Sequence, residues 1–183
     1  GPLLADLRII KTDAEIACLR EAGRQACLGY EALMAACVPG ATERAAAGAG
    51  EGAARQAGAE AIIFNVFGSG PRTNTIIGRP TERVMQSGDM VMAAMAVQYE
   101  GYVATVEYPF VVGKASDGQR KFLGALFEAA NEQLKYLRDG VTGGEMVRAV
   151  KAVFARHRLT QYDVYPPMHG IGLAEAESPY PDA

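Results

Sequence analysis

The chain has 183 residues, 49% of them hydrophobic and 21% charged, and a formal net charge of -3. This length favours one domain with a sizeable apolar core. Lys and Arg are scattered along the chain, so a nucleic-acid partner is not expected. No apolar run approaches the roughly 18 residues that span a bilayer, so membrane insertion is not expected either.

Three cysteines, Cys18, Cys27 and Cys37, fall within one predicted helix. This pattern is typical of free thiols rather than of a disulfide framework or a zinc site, and it predicts a reducing, cytoplasmic compartment. The leading Gly1-Pro2 resembles the remnant of a cleaved tag, so the predicted domain comprises residues 3–183.

The first predicted element is a helix from Thr12 to about Ala36, in which apolar residues recur at helical spacing. Thr12 and Glu15 have the spacing of a capping box, in which each residue's side chain bonds the other's backbone amide. Pro39-Gly40 ends the helix because proline and glycine favour turns.

A second, alanine-rich helix follows, with Thr42 as its N-cap and its end near Gly58. Residues 61–67 are rich in β-branched and aromatic side chains and predict a strand. The strand leads into a glycine corner, Gly68-Ser69-Gly70. The first half therefore runs helix, turn, helix, strand and glycine corner.

A long hairpin is predicted after this corner, from Met85 to Phe110. Ser87-Gly88-Asp89 opens an apolar run, and Glu100-Gly101 turns the chain into a second run. Helix remains an alternative for 90–97, because Met and Ala form strands weakly. An isolated carboxylate in an apolar strand is costly, so Glu107 either belongs to a site or points at water.

The same order of elements returns from Asp117. A helix is predicted through Leu137, a turn over 139–142, a second helix through Phe154, and then an extended segment before the corner His169-Gly170-Ile171-Gly172. The halves, 12–112 and 116–183, match at an almost constant offset: Gly40 with Gly140, Thr42 with Thr142, and Gly70 with Gly172. The repeat predicts an α+β domain whose second hairpin, near 173–214, would lie past Ala183.

Short phrases along almost the whole chain resemble the pita-bread domain shared by creatinase, prolidase, aminopeptidase P and methionine aminopeptidase. The phrases are Ile10-Lys11-Thr12 with Glu15-Ile16, Leu19-Arg20 with Ala22, Pro39-Gly40 with Thr42-Glu43, Ser87-Gly88-Asp89, Tyr99 with Gly101-Tyr102, and His169 to Leu173. The resemblance implies a curved antiparallel sheet with helices on its outer face, a pocket on its inner face and a homodimer.

The resemblance also assigns the positions of a metal site. The family's peptidases hold two divalent ions with two aspartates on the hairpin, a histidine in the corner and two glutamates further on. Those aspartate positions hold Ala94 and Thr105, whereas His169 stands at the histidine position. Further family histidines align with Ile77 and about Ala176. A hydroxyl and one imidazole cannot hold paired divalent ions, so we expect no metal and no other cofactor.

Creatinase is the metal-free branch of the family, and Glu107 falls where creatinase has a glutamate that grips its cationic substrate. The titratable candidates for catalysis are therefore His169, as acid and base, and Glu107, which would bind a cation or orient the histidine. Each has an alternative role: His169 could bond a backbone carbonyl at a tight corner, and Glu107 could point at water.

Arg72 and Asn74 lead into the hairpin and are candidates for substrate binding, with Arg72 able to pair with a carboxylate. Two functions remain. The first is a metal-independent hydrolase acting on a C–N bond of a small amide, amidine or dipeptide-like substrate. The second is an inactive relative that binds a peptide, a metabolite or a protein.

Overall fold

The computed structural model describes residues 2–74, 77–163 and 168–180, with side chains from Leu4 onward. Its helices are α1 (Pro2–Ile9), α2 (Asp13–Ala36), α3 (Glu43–Gln56), α4 (Asp117–Leu134) and α5 (Gly143–Arg156). Its strands are β1 (Ala61–Ser69), β2 (Met90–Tyr99), β3 (Tyr102–Glu107) and β4 (Phe110–Val111). Two short 3-10 helices cover Gly70–Asn74 and Thr160–Tyr162.

Side-chain caps begin the long helices, as the sequence predicts. At the start of α2 the Thr12 hydroxyl accepts from the Glu15 amide, and Glu15 returns a bond to the Thr12 amide at 2.7 Å. The caps of α3, α4 and α5 are Thr42, Ser116 and Thr142. Each cap satisfies an amide that has no partner inside the helix. The helix pairs of the two halves thus begin in the same way.

Three features differ from the sequence prediction or lie outside it. Helix α1 was not predicted, because its eight residues lack a capping signal. The prediction that α4 continues through Leu137 was wrong, since α4 ends at Leu134. The extended segment expected before His169 falls partly on 164–167, outside the described residues.

The hairpin prediction is confirmed, and residues 90–97 form a strand rather than a helix. The turn has two residues, Glu100 (φ 50°) and Gly101 (φ 79°), and Tyr99 faces Tyr102 across it. Two positive φ angles produce the twist that suits a two-residue hairpin. Because this turn fixes the register, it also fixes which side chains share a face of the sheet.

The sheet has the order β1-β2-β3, all antiparallel, with β4 also pairing with β2. Helices α2 and α3 pack on one face, and the buried core lies between them and the odd-numbered residues of β2. These strand residues are Val91, Ala93, Met95 and Val97. The even-numbered residues of β2 therefore belong to the opposite face, which we call the inner face.

Helices α4 and α5 pack against each other and form a smaller apolar cluster around Ala129, Val150 and Val153. Within the residues that the structure describes, no helix is both long and apolar enough to cross a membrane.

Helices α2 and α3 approach closely at two glycines. A Cβ added to Gly50 would lie 2.8 Å from Leu33 Cβ and 2.9 Å from the carbonyl oxygen of Gly29. A Cβ added to Gly29 would lie 2.8 Å from Ala54 Cβ. Backbone atoms cannot withdraw cheaply, so glycine at both positions is required by this packing.

A buried carboxylate fixes the chain between β1 and β2. Glu43, the first residue of α3, is 0% exposed and accepts bonds from the backbone amides of Ser69 (3.0 Å) and Thr81 (2.9 Å) and from both hydroxyls. Arg72 pairs with Oε2 of Glu43, the oxygen that also accepts from Thr81. Burial opposes ionisation, but the hydrogen bonds from Ser69 and Thr81 outweigh it, and the pKa of Glu43 lies below its usual value.

A second ion pair extends this network to the hairpin. Arg83 donates to the Ser69 hydroxyl at 2.6 Å and to Asp89 at 2.7 Å, and Asp89 also accepts from the Gln86 amide. Gly70 (φ 53°) lies against both charged side chains and leaves no space for a Cβ. The Ser-Gly-Asp phrase therefore connects the opening of β2 to the end of β1.

We expect Gly50→Ala to destabilise the protein by about 1–3 kcal/mol, because the methyl group overpacks the α2–α3 contact. Gly48→Ala is the matched control, since Gly48 lies on the same helix with no atom within 4 Å of an added Cβ. The control should be stabilising by up to about 1 kcal/mol, the difference between Ala and Gly in a helix. Urea denaturation of both variants measures this, and equal free energies of unfolding would contradict the packing account.

We expect Glu43→Gln to cost about 3 kcal/mol at pH 7, because it leaves a cation and several donors without their charged partner. The pKa of Glu43 is depressed, so this stability is present above the pKa of an unfolded glutamate, about 4.3. It is lost as the pH falls through the lower pKa of the folded state. Denaturation curves of wild type and variant should therefore converge in acid.

Glu82→Gln is the matched control for Glu43→Gln. Glu82 belongs to the loop between β1 and β2 that Glu43 holds, and it pairs with Arg44, but both side chains are about two-thirds exposed. Exposed pairs contribute about 0–1 kcal/mol, so this variant should unfold almost as wild type does. A loss equal to that of Glu43→Gln would show that burial of the carboxylate is not the cause.

Candidate functional site

The inner face of the sheet carries two rows of neighbouring side chains. Ala94 pairs with Val66 on one side and Glu107 on the other, and Ala96 pairs with Phe64 and Thr105. Directly opposed residues of antiparallel strands project to the same face. The predicted site residue Glu107 therefore stands beside Ala94, one of the two positions that the resemblance assigns to metal-binding aspartates.

His169 lies in a tight turn that docks on β3. Its Nδ1 is 2.9 Å from the carbonyl oxygen of Gly170, and a carbonyl oxygen can only accept, so Nδ1 carries the proton. Its Nε2 is 3.6 Å from Glu175 Oε1. The Val103 amide donates to the Gly172 carbonyl at 2.8 Å and so fastens the turn to the sheet.

Glu175 interacts with both of the residues that were predicted to be catalytic. It lies beside the His169 imidazole, and its negative charge acts on Glu107. Loss of hydration raises the pKa of Glu107, and repulsion from Glu175 raises it further. No cation or hydrogen-bond donor of the described residues contacts the Glu107 carboxylate, and Glu107 is exposed.

The described residues of the inner face do not by themselves supply the ligands for a pair of divalent ions. Ala94 offers a methyl group and is 4% exposed. Thr105 offers one hydroxyl oxygen, which is buried and has no hydrogen-bond partner. In the part of the chain that the structure describes, no three His, Cys, Asp or Glu side chains form a group that could hold a metal ion. Hard divalent cations need several charged oxygens, so no step is assigned to a metal here.

The two residues predicted to bind substrate have different surroundings. Arg72 is paired with the buried Glu43 and donates to the Arg79 carbonyl at 3.0 Å. Its guanidinium therefore has a structural role already. Asn74 ends the 3-10 helix and is exposed. Binding of substrate by either residue stays a prediction.

The sequence analysis assigned no role to three acidic residues of the fold, Glu43, Glu175 and Glu177. Glu175 has no distinguishing signal apart from its nearness to the His169 turn. Glu43 and Glu177 gain their partners only through folding, since Arg72 and Lys11 are far from them along the chain. Ile77, which aligns with a family histidine, is 75% exposed and offers no titratable group.

Comparison with known proteins supports the resemblance. A profile of metallopeptidase family M24 matches residues 17–183. The uncharacterized peptidase YqhT of Bacillus subtilis is 28% identical over 174 residues, which cover 94% of this chain and 49% of that protein. The Xaa-Pro dipeptidase of Pyrococcus furiosus is 26% identical over 178 residues, which cover 97% and 51%.

Solved structures give the same result. The prolidase from Pyrococcus furiosus superposes with a TM-score of 0.93 at 26% identity, covering 97% of this chain and 53% of that one. The dipeptidase PepE from Mycobacterium ulcerans superposes with a TM-score of 0.93 at 31% identity, covering 98% and 48%. The chain spans about half the length of the relatives that it matches. The predicted α+β pita-bread fold is confirmed, and the chain belongs to metallopeptidase family M24.

Proposed function

We propose that the complete protein is a hydrolase of this family that cleaves a C–N bond without paired metal ions. Its substrate would be a small amide, amidine or dipeptide-like molecule bound on the inner face. The observation that supports this most is the donor set: the two aspartate positions hold Ala94 and Thr105, while His169 keeps an open nitrogen next to a carboxylate. Acid and base groups are present where metal ligands are missing.

The proposed chemistry uses His169 as the proton carrier. Nδ1 is bound to the Gly170 carbonyl, so Nε2 is the nitrogen that is free to take a proton from water. The hydroxide attacks the carbon of the scissile C–N bond, and the same proton passes to the leaving nitrogen as the bond breaks. Water is consumed, and no oxidant or reductant is needed.

Glu107 would bind the charged end of the substrate. Glu107 is exposed, and its carboxylate has no cationic partner in the described residues. A substrate ammonium or amidinium group would supply the missing positive charge. The homodimer and the cytoplasmic location expected from the sequence stay predictions.

The alternative is a relative that binds a peptide, a metabolite or a protein without turnover. The specific observation that favours it is that Ala94, Thr105 and Ile77 all lack titratable groups at positions where the family's peptidases have them. Binding requires only a pocket and Glu107, whereas hydrolysis requires His169 as well. A variant at His169 therefore distinguishes the two functions.

We expect His169→Asn to lower kcat by about 10²–10⁴-fold in the complete protein, because general acid and base catalysis has this magnitude. Turnover would be screened on dipeptides, small amides and creatine-like amidines, with and without a chelator, and should survive chelation. His157→Asn is the matched control. His157 Nε2 lies 2.6 Å from Glu128 Oε2, and neither residue belongs to the sheet. Activity that vanishes in chelator and returns with a divalent ion would refute metal independence. Ligand-induced thermal stabilisation without turnover supports the binding alternative.

We expect Glu107→Gln to raise the melting temperature at pH 7. The pKa of Glu107 is raised in the folded state, so its ionised form destabilises the protein. The penalty begins as the pH rises past the pKa of an unfolded glutamate, about 4.3, and is complete above the raised pKa of the folded state. Wild type and variant should therefore have similar melting temperatures below about pH 4.

Glu128→Gln is the control for this measurement. Glu128 is paired with His157 and Arg156, and its pKa is lowered, so the variant should melt below wild type at pH 7. A fall in melting temperature for Glu107→Gln as well would mean that Glu107 has a cationic partner in the folded protein.

A further inference from the structure

Glu177 is a nearly buried carboxylate held by two cations from the other end of the chain. It is 9% exposed, and its Oε1 lies 2.9 Å from Lys11 Nζ, while its Oε2 pairs with Arg8. Burial opposes ionisation, but the bonds from Lys11 and Arg8 outweigh it, and the pKa of Glu177 lies below its usual value. We call Arg8, Lys11 and Glu177 the charge clamp.

The charge clamp and the His169 turn form one unit. The Glu177 amide donates to the Gly170 carbonyl at 2.9 Å, and the Gly170 amide donates to the Pro179 carbonyl at 2.9 Å. The Glu177 carboxylate passes directly over Gly172, where any Cβ would overlap it. The second glycine of the His169-Gly170-Ile171-Gly172 corner is therefore required by the clamp itself.

The unit also reaches the inner face. The bond from the Val103 amide to the Gly172 carbonyl joins the turn to β3, the strand that carries Thr105 and Glu107. A displacement of the turn would move the His169 imidazole relative to that strand. Catalytic and binding groups lose effectiveness when they shift by about 1 Å.

We propose that Glu177 is a positioning residue for His169, and that Arg8 and Lys11 act through it. The clamp ties α1 and the linker that follows it to the His169 turn, and so sets the distance between the imidazole and Glu107. None of the three clamp residues needs to touch the substrate. The inference rests on the proposed function for its catalytic meaning, but its structural content can be measured separately.

The test uses Glu177→Gln in the complete protein, with two readouts that need no substrate. Hydrogen exchange of the Val103 amide should become at least about tenfold faster, because a broken buried pair frees the turn. The NMR signals of the His169 ring should shift while those of His157 stay in place. The variants His169→Asn and His157→Asn assign the ring signals of these two histidines.

Glu128→Gln is the matched control, because Glu128 likewise contacts two basic side chains, Arg156 and His157, but is exposed. It should shift the His157 signals and leave His169 and the Val103 amide unchanged. Arg8→Gln covers the case in which Glu177→Gln does not fold, since Arg8 is partly exposed and Lys11 still holds Glu177. It should give the same changes at smaller amplitude.

A folded Glu177→Gln or Arg8→Gln variant with unchanged Val103 exchange and unchanged His169 signals would overturn the positioning role. Turnover then separates the two proposals. Where wild type is active, Arg8→Gln should lower kcat with little change in melting temperature. Where wild type is inactive but the His169 signals still move, the proposed hydrolysis fails and the positioning role stands.

Discussion

The buried carboxylate of Glu43 is the constraint on which the geometry between β1 and β2 depends. It sits at the N-terminus of α3, where amide groups and the helix dipole favour a negative charge, and it receives bonds from Ser69, Arg72 and Thr81. Because a buried charge without partners is costly, these contacts form together or not at all. The loop between β1 and β2 is thereby held at the sheet, and the strands that form the inner face keep their places.

Local interactions made much of this fold predictable from the sequence. Thr12 and Thr142 meet their capping partners three residues away, and Glu100-Gly101 specifies a two-residue turn. Each such signal involves a few neighbouring residues, so no tertiary information is needed. The repeat of Thr42 as Thr142 follows from the same local chemistry, and the structure shows both as N-caps.

The parts that were missed involve partners that are distant along the chain. Glu177 pairs with Lys11, which is 166 residues away in the sequence, and no periodic pattern of residues predicts such a pair. The sequence could not determine the face of the sheet on which Glu107 lies, and the reason was different. Side chains of a strand alternate, so a shift of one residue in register would turn Glu107 to the other side. Only the observed pairing with Ala94 places it on the inner face.

The fold of the family is present here, but two of the side chains that the family uses for its chemistry are different. The backbone superposes on a prolidase with a TM-score of 0.93, yet the side chains at two metal-ligand positions are a methyl and a hydroxyl. A scaffold of this kind is stabilised by its core and by buried ion pairs, none of which requires those aspartates. Aspartates at 94 and 105 can therefore be lost while the sheet, the His169 turn and the charge clamp persist.

The raised pKa of Glu107 means that its ionised form is unfavourable in the fold described here. A lost metal site would relax towards neutral or apolar side chains, as Ala94 has, because unpaired carboxylates beside one another destabilise the folded state. Glu107 and Glu175 instead remain close enough to repel, next to an imidazole and a buried hydroxyl without a partner. Groups that are costly to the isolated fold and converge on one surface are compensated when a complementary ligand binds there. The positively charged substrate that we propose would reduce the repulsion between Glu107 and Glu175.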